Sequence, residues 1–280
     1  MTVIANAKLN LYLDITGTRD DGYHLLETVM QSVSLSDIVD VDIFDGSGIE
    51  LSCDRADIPS DERNIAYKAA KAYLDAAEID AKLRISIQKR IPSGAGMGGG
   101  SADAAAVLAA LDRHFGAHSK ERLYETALSI GADVPFCLAG GTRICKGIGE
   151  ELSDCIPVSD CCFLVVMPDF TCPTGEAYKK YDSAPVAAHG ELSQFTRSLS
   201  DIGFAKKLYN VFEKLYCDER IEDIKKRLLS AGAEGAALTG SGAAVFGVFS
   251  DEERAVGAAK QLPMYFTAVC SPMKYGTLFA

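Results

Sequence analysis

Pro92-Ser93-Gly94-Ala95-Gly96-Met97-Gly98-Gly99-Gly100-Ser101-Ala102-Asp103 is the stretch on which the reading of this chain turns. Five of the seven residues from Gly94 to Gly100 are glycine, denser than packing alone requires. Without Cβ atoms, successive backbone N–H groups can converge on an anion. An alanine-rich, helix-like segment follows over 102–115, and the start of a helix adds the positive end of its dipole. Together these features read as a phosphate-binding loop rather than a flexible turn. A Walker A loop would end Gly-Lys-Ser/Thr, whereas this one ends Gly-Gly-Ser. Gly94, Gly96 and Gly99 formally fit a dinucleotide fingerprint, but the strand before them alternates with polar residues and lies deep in the chain. A dinucleotide fold starts with a strand buried on both faces and places a carboxylate after the loop, and neither is found here.

Upstream, Ala7, Leu9, Leu11, Leu13 and Ile15 alternate with Lys8, Asn10, Tyr12 and Asp14, which reads as one strand with an apolar and a polar face. A polar turn over 17–22 leads to strand-like runs at 23–34, 38–44 and 49–53. Ile65, Ala69, Tyr73 and Ala77 mark a helix starting near 61–64, and 83–87 reads as a strand entering the loop. Ser101 is the expected N-cap of the helix over 102–115, and a helix over 119–130 is expected to stop at Gly131. Polar residues around Pro157, at 150–160, mark a domain boundary. The second half reads as strand 162–167 and an irregular stretch to about 200. A helix carrying Phe204, Leu208, Val211, Phe212 and Leu215 follows, then one carrying Ile221, Ile224 and Leu228. Strands 235–238 and 243–249, helix 251–262 and strand 265–269 complete a β-α-β-β-α-β order, that of a ferredoxin-like sandwich.

The 280 residues are 48% hydrophobic and 24% charged, which suits a folded globular chain. No apolar run approaches the roughly 18–20 residues that span a bilayer, and the N-terminus has no basic n-region or apolar h-region. A cytoplasmic protein without membrane attachment is expected. A net charge of −11 argues against nucleic-acid binding through phosphate neutralisation, while leaving room for local anion sites. Nine cysteines without a CxxC pair and four scattered histidines give neither a zinc pattern nor a disulfide framework, so reduced thiols are expected.

Pro-x-x-x-Gly-x-Gly-Gly-Gly-Ser resembles the ATP loop of the GHMP kinases, which phosphorylate galactose, homoserine, mevalonate and related small molecules. Ala7-Lys8-Leu9-Asn10-Leu11-Tyr12-Leu13 and Asp21-Gly22-Tyr23-His24 narrow the resemblance to the branch acting on 4-diphosphocytidyl-2-C-methyl-D-erythritol. Asn64-Ile65-x-Tyr67, Gly131-Ala132-Asp133-Val134-Pro135-Phe136, Pro173-Thr174, Leu208-Tyr209-Asn210-Val211 and Leu238-Thr239-Gly240-Ser241-Gly242 match in the same order along nearly the whole chain. Asn6 stands where that branch usually has proline, and Ala95 and Met97 stand where glycine and leucine are commoner. Homoserine and mevalonate kinases lack the Asp-Gly-Tyr-His segment. A relative that has lost catalysis would not be expected to retain Lys8, Asp133 and the intact loop.

The resemblance implies an α+β, two-domain GHMP kinase fold. Residues 1–155 would form an ATP-binding and catalytic domain resembling ribosomal protein S5, and residues 156–280 a ferredoxin-like α/β sandwich. It implies an ATP-dependent small-molecule kinase of the non-mevalonate isoprenoid pathway, acting on the 2-hydroxyl of its cytidyl diphosphate sugar alcohol. Mg²⁺ would accompany ATP, with no protein metal ligand assigned and no obligate protein partner evident. Lys8 and Asp133 would be catalytic; taken alone they also fit a solvated strand face and a turn aspartate. Pro92, Ser93, Gly94, Ala95, Gly96, Met97, Gly98, Gly99, Gly100, Ser101 and Ala102 would hold ATP, with Asn64 and Lys89 near the adenine. Asn64 equally fits a helix N-cap, and Ser101 an N-cap or a ligand of phosphate or Mg²⁺. Asn10, Tyr23, His24, Thr174 and Tyr178 would bind the acceptor, with the aromatic rings against the cytosine; Tyr23 and His24 also fit a strand-end core. Pro135 is expected to push Val134 to an extended backbone.

Overall fold

The computed structural model describes residues 1–184, 189–216 and 218–280. Strand β1 (Thr2–Thr18) pairs antiparallel with β2 (His24–Phe44), which joins the expected runs 23–34 and 38–44 into one strand. Then come β3 (Gly48–Cys53), α1 (Ile65–Ala77), β4 (Lys82–Gln88), α2 (Gly99–Phe115), α3 (Lys120–Ile130), α4 (Val134–Ala139), β5 (Thr142–Lys146) and β6 (Glu151–Asp154). The second half holds β7 (Cys162–Met167), α5 (Thr174–Ser183), α6 (Leu192–Arg197), a 3₁₀ turn (Ile202–Lys207), β8 (Tyr209–Asn210), α7 (Val211–Tyr216) and α8 (Glu219–Ser230). It closes with β9 (Gly235–Leu238), β10 (Val245–Phe249), α9 (Glu252–Ala259), β11 (Phe266–Cys270) and β12 (Thr277–Phe279).

Two sheets result. The first runs β12-β1-β2-β4-β3, with β5 also on β2, β6 on β5 and β8 on β1; the second runs β11-β7-β10-β9. The second is the strand order of a ferredoxin-like sandwich, 4-1-3-2 in its own numbering. The last strand leaves this sandwich and pairs with β1, so the C-terminus belongs to the first sheet.

Strand β1 serves both cores because its alternation breaks. Asn10 faces Met30, but Tyr12 faces Val29, so Leu11 is an extra residue on β1. A bulge of this kind flips the faces beyond it. Tyr12 therefore joins Leu9 and Leu11 in the first core, while Leu13 and Ile15 turn into the second. The expected uniform apolar face fails at this point, and the failure turns Leu13 towards the side on which Lys8 and Asn10 stand.

Helix α2 packs on the first sheet, α1 and α4 and is buried nearly all round, with Ala102, Ala104, Ala105, Ala106 and Ala110 out of solvent. Small side chains permit the close approach, and larger ones there would overpack the core. Its N-cap is Gly98, not Ser101, because a left-handed φ of 70° lets the chain turn without a Cβ and start the helix three residues earlier. Val134 is helical rather than extended: Pro135 sits in the first turn of α4, where its missing N–H is no loss. The stretch read as irregular contains α5 and α6, and its residues 185–188 lie outside the described residues. The single helix expected from Phe204 to Leu215 is broken at Asn210, whose side chain accepts from the Phe212 N–H and starts α7 afresh. Cys137, Cys145, Cys161, Cys162 and Cys270 are buried thiols, and Cys217 lies outside the described residues. Among the described residues no helix is long and apolar enough to cross a membrane.

Candidate active site

A cavity of about 510 Å³ opens where the glycine-rich loop meets the turn after β9. Ala95 and Met97 point into the core, so the loop is anchored from beneath and is not a loose surface turn. Met97 O accepts the Lys8 N–H at 3.0 Å, tying the loop to β1. At Gly96, with φ of 72°, a Cβ would fall 2.2 Å from Thr239 O; only glycine lets the two turns touch. Gly98 brings no side chain to cap α2, and the first-turn amides of Gly99, Gly100 and Ser101 have no intrahelical partner to bond. Open amides at the positive end of a helix dipole form a cradle for phosphate. The Ser93 hydroxyl, also on this wall, is buried without a hydrogen-bond partner among the described residues.

Lys8 and Asn10 share one face of β1, as expected. Lys8 Nζ donates to Asn10 Oδ1 at 2.7 Å and lies 3.5 Å from Asp133 Oδ2. The orientation of the Asn10 amide is fixed by its neighbours. Thr28 Oγ1 gives its hydrogen to Tyr12 O, so it accepts from Asn10 Nδ2, and Oδ1 must face Lys8. Asp133 ends the turn before α4, makes no capping bond with its side chain, and keeps a third of that side chain exposed. An ammonium and a carboxylate thus stand beside Gly98, opposite the start of α2.

The rest of the wall divides in two. At one end are Asn64, Ile65, Ile91 and Lys89. Asn64 is the N-cap of α1, accepting from Ala66 N–H at 2.9 Å while donating to Pro59 O, so its helix-capping reading holds while it also lines the cavity. Lys89 Nζ lies between Asp37 and Asp103, at 2.5 and 2.7 Å. Burial alone would lower this ammonium, but the two carboxylates outweigh it and hold it above its ordinary value. Burial pushes the Asp103 carboxyl up to about 8; Lys89 opposes the rise and Asp37 adds to it.

The other end holds Leu13, Leu26, Phe212, Thr174 and Tyr178. Burial, with the Asp133 charge nearby, pushes the Tyr178 phenol up to about 12, so it stays a neutral hydroxyl. The His24 ring stacks on Tyr178 at 4.7 Å and places Nε2 2.7 Å from Asp182 Oδ1. Neither His24 nor Tyr23 lines the cavity itself; Tyr23 is 60% exposed. Ala102 is likewise off the wall, its N–H bonded to Gly98 O within the helix. Thr174 bonds Ser241 at 3.0 Å across the mouth. Among the described residues no cluster of three His, Cys, Asp or Glu side chains forms a metal centre.

The GHMP kinases N terminal domain model matches residues 64–141, and the GHMP kinases C terminal model matches residues 209–267. The 4-diphosphocytidyl-2-C-methyl-D-erythritol kinase of Clostridium tetani is 40% identical over 275 residues, 96% of this chain and 98% of that one. A crystal structure of 4-(cytidine 5'-diphospho)-2C-methyl-D-erythritol kinase is 31% identical, with a TM-score of 0.83 over 97% of this chain and 99% of the other. The chain belongs to the 4-diphosphocytidyl-2-C-methyl-D-erythritol kinase family. The homoserine kinase of Cytophaga hutchinsonii, 19% identical with a TM-score of 0.77 over 99% of this chain and 96% of its own, shares the fold.

For a member of the 4-diphosphocytidyl-2-C-methyl-D-erythritol kinase family, four residues around this site went without a role in the sequence reading: Thr28 and Thr239, which bond Asn10, Asn210, which bonds Leu238 O and Gly240 O, and Leu13, which the bulge at Leu11 turns onto the cavity wall. Asn210 and Thr239 lay in motifs that matched the family but received no role. Leu13 had no sequence signal, because a bulge changes a strand's facing without changing its composition. The presence of Asn6 in place of proline has a local reason. Its N–H donates to Gly276 O and its side chain to Tyr275 O, both at 2.8 Å, and proline could make neither bond.

Proposed function

We propose that this chain transfers the γ-phosphoryl group of ATP to the 2-hydroxyl of 4-diphosphocytidyl-2-C-methyl-D-erythritol, a cytoplasmic step of non-mevalonate isoprenoid synthesis. The observation that carries the reading is the placement of Lys8, Asn10 and Asp133 in one cavity, between the open amides of α2 and an end lined by aromatic and apolar groups. The α2 amides, from Gly99 to Ser101, bind the phosphates. The adenine lies towards Asn64 and Lys89. Mg²⁺ accompanying ATP would neutralise phosphate charge there, and Ser101, which lines the cavity, is the loop hydroxyl that would bind it or the phosphates. Asp133 accepts the proton of the acceptor hydroxyl, and Lys8 offsets the negative charge on the transferring group. Positioning and electrostatics then supply most of the acceleration, as is general for phosphoryl transfer.

The cytosine lies towards Tyr178 and His24, with the exposed Tyr23 ring able to stack on it from outside. Residues 1–155 form the ATP-binding half, with β12 returned to it, and the rest of 156–280 closes over the acceptor. The test is a coupled ADP-release assay over 4-diphosphocytidyl-2-C-methyl-D-erythritol, homoserine and mevalonate. Turnover with the first alone supports the reading, and preference for either of the others overturns it.

A further inference from the structure

Asn210 is buried in the second half of the chain and does not line the cavity. Its Nδ2 donates to two carbonyls, Leu238 O and Gly240 O, both at 2.9 Å, and its Oδ1 accepts from Phe212 N–H at 3.0 Å. Three of the four bonds an amide side chain can make are thereby directed at one turn and one helix start. The turn it grips, Thr239–Gly240, meets β1 at Asn10, with Thr239 Oγ1 also 3.5 Å from Asn10 Oδ1. Gly240 N–H donates to Asn10 Oδ1 at 3.0 Å, and Asn10 N–H donates to Thr239 Oγ1 at 3.0 Å. Asn10 Oδ1 also holds Lys8 Nζ. Hydrogen bonds joined through the backbone of Gly240 therefore connect Asn210 to the ammonium beside Asp133.

We infer that Asn210 is a positioning residue that sets the Lys8 ammonium from the second half of the chain, through the Thr239–Gly240 turn and Asn10. The inference rests on the catalytic reading of Lys8. Two lone pairs are available on Asn10 Oδ1, and Gly240 N–H and Lys8 Nζ take them. Losing the grip on Gly240 leaves the Asn10 amide held from the Thr28 side alone, so Oδ1 shifts and the ammonium bonded to it shifts as well. Asn210→Asp keeps the volume and the acceptor for Phe212 N–H, but it sets an oxygen against two carbonyl oxygens and so pushes the turn away from Asn10.

The test is a double-mutant cycle on kcat, using Asn210→Asp, Asn10→Ala and the pair. Asn210→Asp alone is expected to lower kcat roughly 10- to 100-fold, the scale of an ångström of misplacement, with the KM for ATP within about twofold of wild type by the same logic. In the Asn10→Ala background the same change should lower kcat less than about threefold, because the residue through which it acts is gone. A merely structural Asn210 would give equal losses in both backgrounds, and that result overturns the inference. If Asn210→Asp does not fold, Asn210→Ser, which keeps one donor, carries the same cycle with the same two outcomes. Normal kcat in Lys8→Ala would remove the catalytic reading and this inference together. A large Lys8→Ala defect with an additive cycle would remove only the inference.

Discussion

Lys8 Nζ lies 3.5 Å from Asp133 Oδ2, and both stand beside Gly98 of the glycine-rich loop, one from β1 and one from the turn into α4. Neither is at the loop itself. The chemistry is brought to the phosphates by the fold, which passes β1 beneath the loop and α4 beside the start of α2.

Removing either member should therefore leave ATP binding in place. Asp133→Asn and Lys8→Ala are each expected to lower kcat by roughly 10²–10⁴. Titration calorimetry with ATP should change little for Asp133→Asn. Near-normal turnover in a variant would remove that residue from the catalytic role.

Gly98 tests the loop from a different side. Its φ of 70° and the Lys8 side chain, whose Cγ would stand 3.2 Å from an added Cβ, make the position intolerant. Gly98→Val should abolish detectable ATP binding and, because Ala95 and Met97 root the loop in the core, also lower stability by about 1–3 kcal/mol, the usual scale of overpacking. Unchanged ATP affinity by calorimetry would contradict the phosphate-cradle reading.

Acceptor recognition should separate from ATP recognition. A base stacked on an aromatic ring gains about 1–3 kcal/mol, so Tyr178→Ala should raise the acceptor KM roughly 5- to 150-fold and leave the ATP KM near wild type. Tyr23→Ala is expected to act in the same direction. His24→Ala, which removes the ring stacked on Tyr178, should also weaken discrimination between cytosine and uracil acceptors. Steady-state kinetics with both nucleotides held in turn at saturation checks this; an equal rise in both KM values would point to a loss of fold instead.

Much of this site was legible in the sequence because its parts are local patterns. Glycine density marked the loop, period-2 alternation put Lys8 and Asn10 on one face, and an Asn before an apolar helix marked the cap at Asn64. What escaped was set by pairing between distant segments. The bulge at Leu11 depends on the partner strand β2, and β12 has only three residues, too few to show a period. Helix α2 began before its expected cap because a left-handed glycine can start a helix without a capping side chain. Thr239 reaches Asn10 across 229 positions of sequence, a contact that no local pattern encodes.

The buried cluster of Lys89, Asp37 and Asp103 carries a pH signature. Burial pushes the Asp103 carboxyl up to about 8, so the folded protein holds that proton more tightly than the unfolded chain, where an aspartate titrates near ~3.9. Stability should then fall as pH rises from about 4 to about 8 and level off above. Asp103→Asn removes the titrating group and should flatten the decline in thermal midpoint between pH 6 and 8. An identical slope in wild type and variant would contradict the assignment.

The most direct test of the proposed transfer is the ³¹P NMR spectrum of the product formed from ATP and 4-diphosphocytidyl-2-C-methyl-D-erythritol. The 2-hydroxyl sits on a carbon bearing a methyl group and no hydrogen, so a phosphate placed there has no proton three bonds away. One new phosphomonoester signal without proton splitting is predicted, appearing in step with ADP. A proton-split monoester signal would place the phosphate on another hydroxyl, and ADP formed without any new monoester would contradict the kinase reading altogether.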